Sequence, residues 1–317
     1  MRILLIGGGG FVGPHLKDFL MQRNHEVFTA DLPQIVSAYP EMFSLDLTDA
    51  ANVESLLKQL HPDRVFLLAA ISSVSQSWEN PSLAVNVNIL GALNVFNAMK
   101  KTVPDARLIY IGSGEEYGNS CSEEHPFTED TNCSPCNPYA VTKFASGKLL
   151  ELMSVKRNLD YVHLRPFNHF GPGQREGFVI ADFCAQITRI ESGQGDRVMK
   201  VGNLSAKRDF LYVDDVIDAY CMIAEADRCP HPVYNISTGK VHSVQDILDY
   251  LISLAKVEIR IEIDPAKFRP VEAPALIAPN KLIFKDFGWL PKIDLETGLR
   301  KNLNWWREKT ASGSRRA

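Results

Sequence analysis

The chain carries no excess of positive charge. Its 34 Lys and Arg residues stand against 38 Asp and Glu, a formal charge of -4, and gripping a phosphate backbone demands the opposite balance. Nucleic acid is not an expected partner. Long apolar runs are missing as well: no stretch reads as the roughly 20 apolar residues of a membrane span. Only a short apolar run separates Arg2 from the glycines of "MRILLIGGGGFVG", without the length or cleavage pattern of a signal peptide. The expected location is cytoplasmic, with no membrane partner. Cysteine is sparse and irregularly spaced, six in 317 residues, which suits reduced thiols better than a disulfide framework. Cys121, His125, Cys133 and Cys136 lie near one another in sequence, and the last two form a "CSPC" pair. A second CxxC and an HExxH are both absent, so free thiols in a loop are expected and no metal. Internal repeats and low-complexity linkers are absent too.

What is present is an alternation. Apolar runs of strand length, "RILLI", "EVFTA", "MFSL", "RVFLLAA", "RLIYI" and "YVHLRPF", are interleaved with helix-period segments, the mark of βαβ units and a parallel sheet covered on both faces. In "VGPHLKDFLMQ", Val12, Leu16, Phe19 and Leu20 share one helical stripe, and "LAVNVNILGALNVFNAMK" is a long helix. Beyond about Gly171 turn residues multiply, while "VYNIS" reads as a late strand returning to the main sheet. The expected class is α/β: a doubly wound parallel sheet of Rossmann type with a smaller, discontinuous lobe. The expected division is 1–170 plus 211–238 for the larger lobe and 171–210 plus 239–305 for the smaller, with 306–317 a frayed tail.

The glycines of "GGGGFVG", Gly7, Gly10 and Gly13, stand between the first strand and the first helix. There they permit a tight turn, close approach of backbone to a pyrophosphate, and close packing of a helix whose N-terminal N–H groups face the anion. "EVFTAD" ends on Asp31, about twenty residues on, where a dinucleotide fold places the carboxylate that accepts from a ribose. "ADLPQIVSAY" offers no Arg or Lys for a 2′-phosphate, so NAD(H) is favoured and NADP(H) is the alternative. Asp46, closing "MFSLD", is a candidate for the adenine amino group or for the cap of a helix starting near Thr48.

In "NPYAVTK", Tyr139 and Lys143 are four apart and share a helix face. A charged Lys143 beside a positive nicotinamide ring would lower the phenol's pKa and let Tyr139 act as acid or base. Upstream, "GSGEEYG" leaves a buried strand on a hydroxyl, Ser113, then a bare backbone position, Gly114, then two carboxylates, Glu115 and Glu116.

These motifs, with "LLAA", "LRPFNHFGPGQ", "VGNLSAKRDFLYVDDV" and "FRPVEAP" in order along nearly the whole chain, resemble the extended short-chain dehydrogenase/reductases that modify nucleotide sugars. The resemblance implies catalytic roles for Ser113, Tyr139 and Lys143. It implies a dinucleotide held by Gly7, Gly10, Phe11, Val12, Gly13, Asp31, Asp46, Leu47, Leu68, Ala69, Ala70 and Phe167, together with Tyr139 and Lys143. A nucleoside-diphosphate sugar would be held by Ser113, Glu115, Asn168, Val179, Lys200, Arg208, Arg269 and Glu272, while His169 would be a satisfied imidazole. In the similar 4,6-dehydratases a carboxylate takes the C5 proton and a neighbouring side chain assists the leaving hydroxyl. Glu115 matches the carboxylate, but Gly114 has no side chain to offer. "FNHFGPGQ", "VGNLSAKRDF" and "RPVEAP" resemble most the GDP-6-deoxy-4-keto-mannose reductases, which need only a hydride and a proton. Such reductases commonly accept NADPH, a departure from what Asp31 implies. A 4-epimerase, a 4,6-dehydratase and a non-catalytic dinucleotide sensor are the rival readings. A homodimer through the helices near 84–100 and 137–157 is the implied assembly.

Overall fold

Ile3, Leu4 and Leu5 of the first strand are fully buried, as are Val65 and Phe66, and Leu108 and Ile109, further along. Strands apolar on both faces belong to a parallel sheet covered on both sides, and the computed structural model, which describes residues 1–122, 124–268 and 275–313, has that sheet. The chain runs β1 (Arg2–Ile6), α1 (Val12–Gln22), β2 (Glu26–Asp31), a one-turn α2 (Pro33–Val36), β3 (Phe43–Ser44), α3 (Ala50–Leu60) and β4 (Arg64–Leu67). A short α4 (Val74–Glu79) then leads into α5 (Pro81–Val85), a π-helical turn (Asn86–Gly91) and α6 (Ala92–Thr102), followed by β5 (Arg107–Ile111), α7 (Pro138–Arg157), β6 (Tyr161–Pro166) and β7 (Asn168–Phe170). After these come α8 (Val179–Glu191), β8 (Val198–Val201), β9 (Lys207–Arg208), β10 (Phe210–Tyr212), α9 (Val213–Glu225) and β11 (Val233–Ile236). The last elements are β12 (His242–Ser243), α10 (Val244–Ser253), β13 (Arg260–Ile263), β14 (Ala275–Leu276), α11 (Lys281–Phe287) and α12 (Leu295–Gly313).

Seven strands form one sheet in the order β11-β6-β5-β4-β1-β2-β3, and every neighbouring pair is parallel. Alternate residues feed two cores. Leu4, Ile6, Val65, Leu67 and Leu108 meet Leu56 and Leu57 of α3 and Phe96 and Met99 of α6. Ile3, Leu5, Phe66 and Ile109 meet Leu16 and Leu20 of α1 and Val216 and Ile217 of α9. The strand order reverses between β1 and β4, so their carboxyl ends open a crevice at the switch point where a doubly wound sheet takes its ligand. The glycine turn and Leu68–Ala69 sit there together, since Leu68 N and Ala69 N both donate to Ile6 O at 2.9 Å.

The other strands are short. β8 pairs with β13, β9 lies between β12 and β14, and β7 pairs with β10. The smaller lobe therefore draws on chain from both sides of β11, which itself pairs with β6 in the main sheet.

Two expectations need correction. The chain does not fray from 306: α12 continues to Gly313, with Leu299, Leu303 and Trp306 buried and Arg307 paired to Glu191 of α8 at 2.7 Å. The apolar spacing 299, 303, 306 is a helical signal that the polar letters after it obscure. Within the 22-residue run Pro81–Thr102 an 18-residue stretch reaches a mean hydropathy of 1.3, so the run is long and apolar enough by those measures to cross a membrane, contrary to the reading of the sequence. Here Ala84, Asn88, Gly91, Val95, Phe96 and Met99 of that run are buried, and it packs against α3 and α7.

Candidate active site

The glycine turn is forced by its surroundings. Gly7 has φ +88°, and a Cβ there would stand 2.5 Å from Ala69 N; one on Gly13 would stand 2.2 Å from Gly8 O. A Cβ on Gly10 would meet only Gly7 O, at 3.3 Å, so the turn is open on that side. No side chain caps α1, whose cap residue is Phe11, and no acid lies in its first turn, where Val12 sits. The exposed N–H groups and the bare cradle fit a pyrophosphate. Asp31 closes β2 with both oxygens engaged: Oδ2 accepts from Gly9 N at 2.9 Å and Oδ1 from Leu32 N at 2.8 Å. A carboxylate retains further lone pairs for a ribose. Asp46 does not cap the following helix. Its Oδ1 accepts from Thr48 N and Thr48 Oγ1 at 2.8 and 2.7 Å, while Asp49 caps α3. Leu47 is buried and its carbonyl accepts from Asn94 at 2.8 Å. Leu68, Ala69 and Ala70 are partly exposed at the end of β4.

β5 leaves the core at Ile111, and Ser113 caps a single 3-10 turn, Gly114–Tyr117. Its Oγ accepts from Glu115 N at 3.1 Å, and Glu116 Oε1 returns to accept Ser113 N at 2.9 Å. Gly114 is bare for a steric reason, because a Cβ there would touch the Phe167 ring at 3.0 Å. Phe167, expected at the dinucleotide, is buried beneath this turn. Glu116 is not a solvated loop carboxylate; it is wholly buried. Glu115 Oε2 accepts from Asn137 Nδ2 at 2.7 Å.

The same Asn137 starts α7: its Oδ1 accepts from Ala140 N at 2.8 Å and Pro138 occupies the first turn. One amide therefore ties the Ser113 turn to the helix that carries Tyr139 and Lys143. The Ser113 side chain lies beside the Tyr139 phenol, near enough to oppose the rise in its pKa, and Lys143 Nζ donates to Ile111 O at 2.7 Å. Hydroxyl, phenol and ammonium gather at the carboxyl end of β5. Burial dominates their electrostatics. It pushes the Tyr139 phenol well up, with Ser113 opposing and Glu115 and Glu116 adding to the rise. It takes Lys143 down to about 8, with Glu116 opposing.

A cavity opens among the elements of the smaller lobe, lined by α8, β8, β9 and β10 with Asn168 of β7 on its wall. Asn168, Val179, Lys200 and Arg208 all line it, so four of the expected substrate residues converge. Arg269 and Glu272 lie outside the described residues. His169 is a neutral ring, lowered by burial despite its bond to Phe167 O, and stacks on Phe11 with ring centres 5.9 Å apart. The sequence reading missed Asp182, Gln186 and Lys267, which also line the cavity. Gln186 pairs with both backbone groups of Lys200, at 3.0 and 3.1 Å, and Lys267 Nζ donates to Lys200 O at 2.8 Å. Only their placement, within α8 and just after β13, marks them. Three cations against one carboxylate give the cavity the charge a diphosphate requires. Among the described residues no cluster of three or more His, Cys, Asp or Glu is assembled for a metal, and the six cysteines are unpaired.

Residues 4–302 match the family described as GDP-mannose 4,6 dehydratase. The chain belongs to that family. It is 32% identical to a GDP-6-deoxy-D-mannose reductase of Pseudomonas aeruginosa, over 97% of this chain and 98% of the relative. Among solved structures it is similar to RMD from Pseudomonas aeruginosa complexed with NADPH, with a TM-score of 0.86 and 30% identity over 97% of this chain and 99% of that one. A UDP-glucose 4-epimerase of Thermus thermophilus in complex with NAD is equally alike in shape, with a TM-score of 0.86 and 27% identity over 97% and 99%. The family's description and the names of these relatives thus carry three reactions on one scaffold, and the site must discriminate among them.

Proposed function

We propose that the protein is an NAD(P)H-dependent oxidoreductase that reduces the C4 keto group of a GDP-linked 4-keto-6-deoxysugar. The carrying observation is the Ser113 hydroxyl beside the Tyr139 phenol, with position 114 bare against Phe167: a proton donor and an oxyanion partner are in place, whereas elimination lacks its second side chain. The similarity to the reductase of Pseudomonas aeruginosa supports the same choice.

When bound, the dihydronicotinamide supplies a hydride. The chain's own residues do the rest. Tyr139, kept protonated by burial, donates its proton to the sugar O4. Ser113 bonds the same oxygen as charge develops on it. Lys143, anchored on Ile111 O and still mainly protonated at pH 7, keeps positive charge beside the phenol. Asn168, Lys200 and Arg208 hold the diphosphate side, and Val179 lines the same cavity. Asp31 supports NAD(H) over NADP(H), because a 2′-phosphate would meet its carboxylate.

The test is to incubate the protein with a GDP-4-keto-6-deoxysugar and NADH or NADPH. One reduced dinucleotide should disappear per sugar converted; turnover without that loss contradicts reduction and favours an epimerase. The dehydratase reading is favoured by one feature, the Glu115 carboxylate held at 2.7 Å by Asn137. Release of a 4-keto sugar from GDP-mannose would establish it.

The assembly we infer is a homodimer. Val85 and Leu90 on the α5–α6 helix and Val141, Leu152 and Val155 on α7 leave 42–83% of their surface exposed, a strip of apolar side chains on adjacent helices that a second copy would cover. Unpaired thiols support a cytoplasmic setting.

A further inference from the structure

Glu116 lies beneath the Ser113 turn with no solvent exposure, and the reduction chemistry above makes no use of it. A buried carboxylate is tolerated only where its oxygens are saturated, and here they are. Oε1 accepts from Ser113 N and from His163 Nε2, each at 2.9 Å, and Oε2 accepts from Arg165 Nε at 2.9 Å. For His163 to donate through Nε2 its proton must sit there, which fixes the tautomer. Two glycines make the room. A Cβ on Gly112 would stand 2.1 Å from His163 Nε2 and 2.2 Å from Glu116 Oε1, and one on Gly147 of α7 would stand 2.3 Å from His163 Cε1. The ring of Tyr110 joins the parts, with His163 meeting it edge-on at 5.1 Å between ring centres and Lys143 Nζ lying 5.1 Å over it. β5, β6 and α7 are thus all shaped around this carboxylate.

We propose that Glu116 is a positioning residue of the reduction site: its carboxylate holds Ser113 in register with Tyr139, and its negative charge supports Lys143 across the Tyr110 ring. The proposal rests on the reading of Ser113, Tyr139 and Lys143 given above. The charge is present at neutral pH. Burial works to raise the Glu116 carboxyl, but His163, Arg165 and the Ser113 N–H outweigh it and leave it below the ordinary range. His163 goes the other way, lowered by burial more than Glu116 raises it, and is neutral. The groups that face Glu116 are Ser113 and Tyr110 from the β5 side, Tyr161, His163 and Arg165 from β6, Tyr139 and Lys143 from α7, and Cys133 from the loop before α7. Glu116 raises both Tyr139 and Lys143. Neutralising it therefore lets both lose their protons at lower pH.

The experiment compares wild type, Glu116→Gln and Glu116→Asp in NAD(P)H-dependent reduction of a GDP-4-keto-6-deoxysugar, with dinucleotide titration and thermal unfolding on each. The Gln amide cannot accept from Ser113, His163 and Arg165 together. Its kcat should fall at least about tenfold while KM and dinucleotide Kd stay within about twofold, the pattern of a lost transition-state interaction. The alkaline limb of its kcat/KM profile should also move to lower pH. Glu116→Asp keeps the charge one methylene short of Ser113 N, so kcat should fall with the limb unmoved; this arm carries the test if the Gln variant does not fold. A folded Gln variant with wild-type kcat and profile overturns the proposal, as does an Asp variant with wild-type kcat. Wild type that fails to reduce the sugar overturns the proposed function itself, which is a separate result.

Discussion

On the function proposed above, the two halves of the molecule recognise anions by different means. The dinucleotide half offers backbone: bare glycines at a switch point, an uncapped helix start and one carboxylate, all carried on long strands buried on both faces. The sugar-nucleotide half offers side chains, with Asn168, Lys200 and Arg208 displayed from ladders of two or three short strands and Lys267 from the turn after β13. Backbone recognition cannot be altered without breaking the fold. Side-chain recognition can be altered one residue at a time, which is how one scaffold carries epimerases, dehydratases and reductases. In the proposed reaction Ser113, Tyr139 and Lys143 are the seam between the two, carried on the rigid half just after β5 and at the start of α7.

The sharpest way to break that contrast is Gly7→Ala. Its Cβ would stand 2.5 Å from Ala69 N at φ +88°, so strain and clash should together cost about 3 kcal/mol or more. Thermal unfolding and dinucleotide titration should both register it, with affinity down by over ~100-fold if backbone approach is what binds. Arg208→Ala should leave the fold and the dinucleotide Kd intact and raise KM for the GDP-sugar about 10- to 100-fold, the worth of a charge-assisted bond. An equal loss of dinucleotide affinity would mean that the halves are not separable in this way. At the seam, Lys143 titrates near 8. It is charged below that pH and neutral above, so kcat/KM should fall about tenfold per pH unit well above 8, in a profile run with both substrates limiting. A limb near 10 would show that Lys143 keeps its ordinary value. The smallest effect is expected from Asp31→Asn, which should shift the NADH to NADPH preference by about tenfold towards NADPH without changing kcat.

Legibility followed locality. The glycine turn, Asp31 and the Tyr139–Lys143 pair announce themselves within a few residues, and the strands of the large sheet do so by unbroken apolar runs. The sugar cavity was read through the resemblance; Gln186 escaped because one polar residue on a helix face looks like any solvated one, and Lys267 because a residue just after a short strand has no period to betray it. Glu116 escaped for another reason: its partners His163 and Arg165 lie 47 and 49 residues away, so nothing local separates a buried carboxylate from a solvated one. Tyr139 shows the limit of pairwise reasoning. Four-residue spacing shows a lysine near the phenol but not its burial, which raises the phenol and suits a proton donor better than a base. Trp306 and its helix were within reach, since Leu299, Leu303 and Trp306 keep one stripe.

The central claim is that hydride reaches the sugar C4 while Tyr139 gives the proton. Proton NMR of the product formed with C4-deuterated NADH, for wild type and Tyr139→Phe, tests it most directly. Wild type should place a single deuterium at sugar C4, and the Phe variant should bind the dinucleotide normally yet lose at least about 100-fold in rate. Deuterium at another carbon, an unlabelled product, or a Phe variant that turns over like wild type would contradict it.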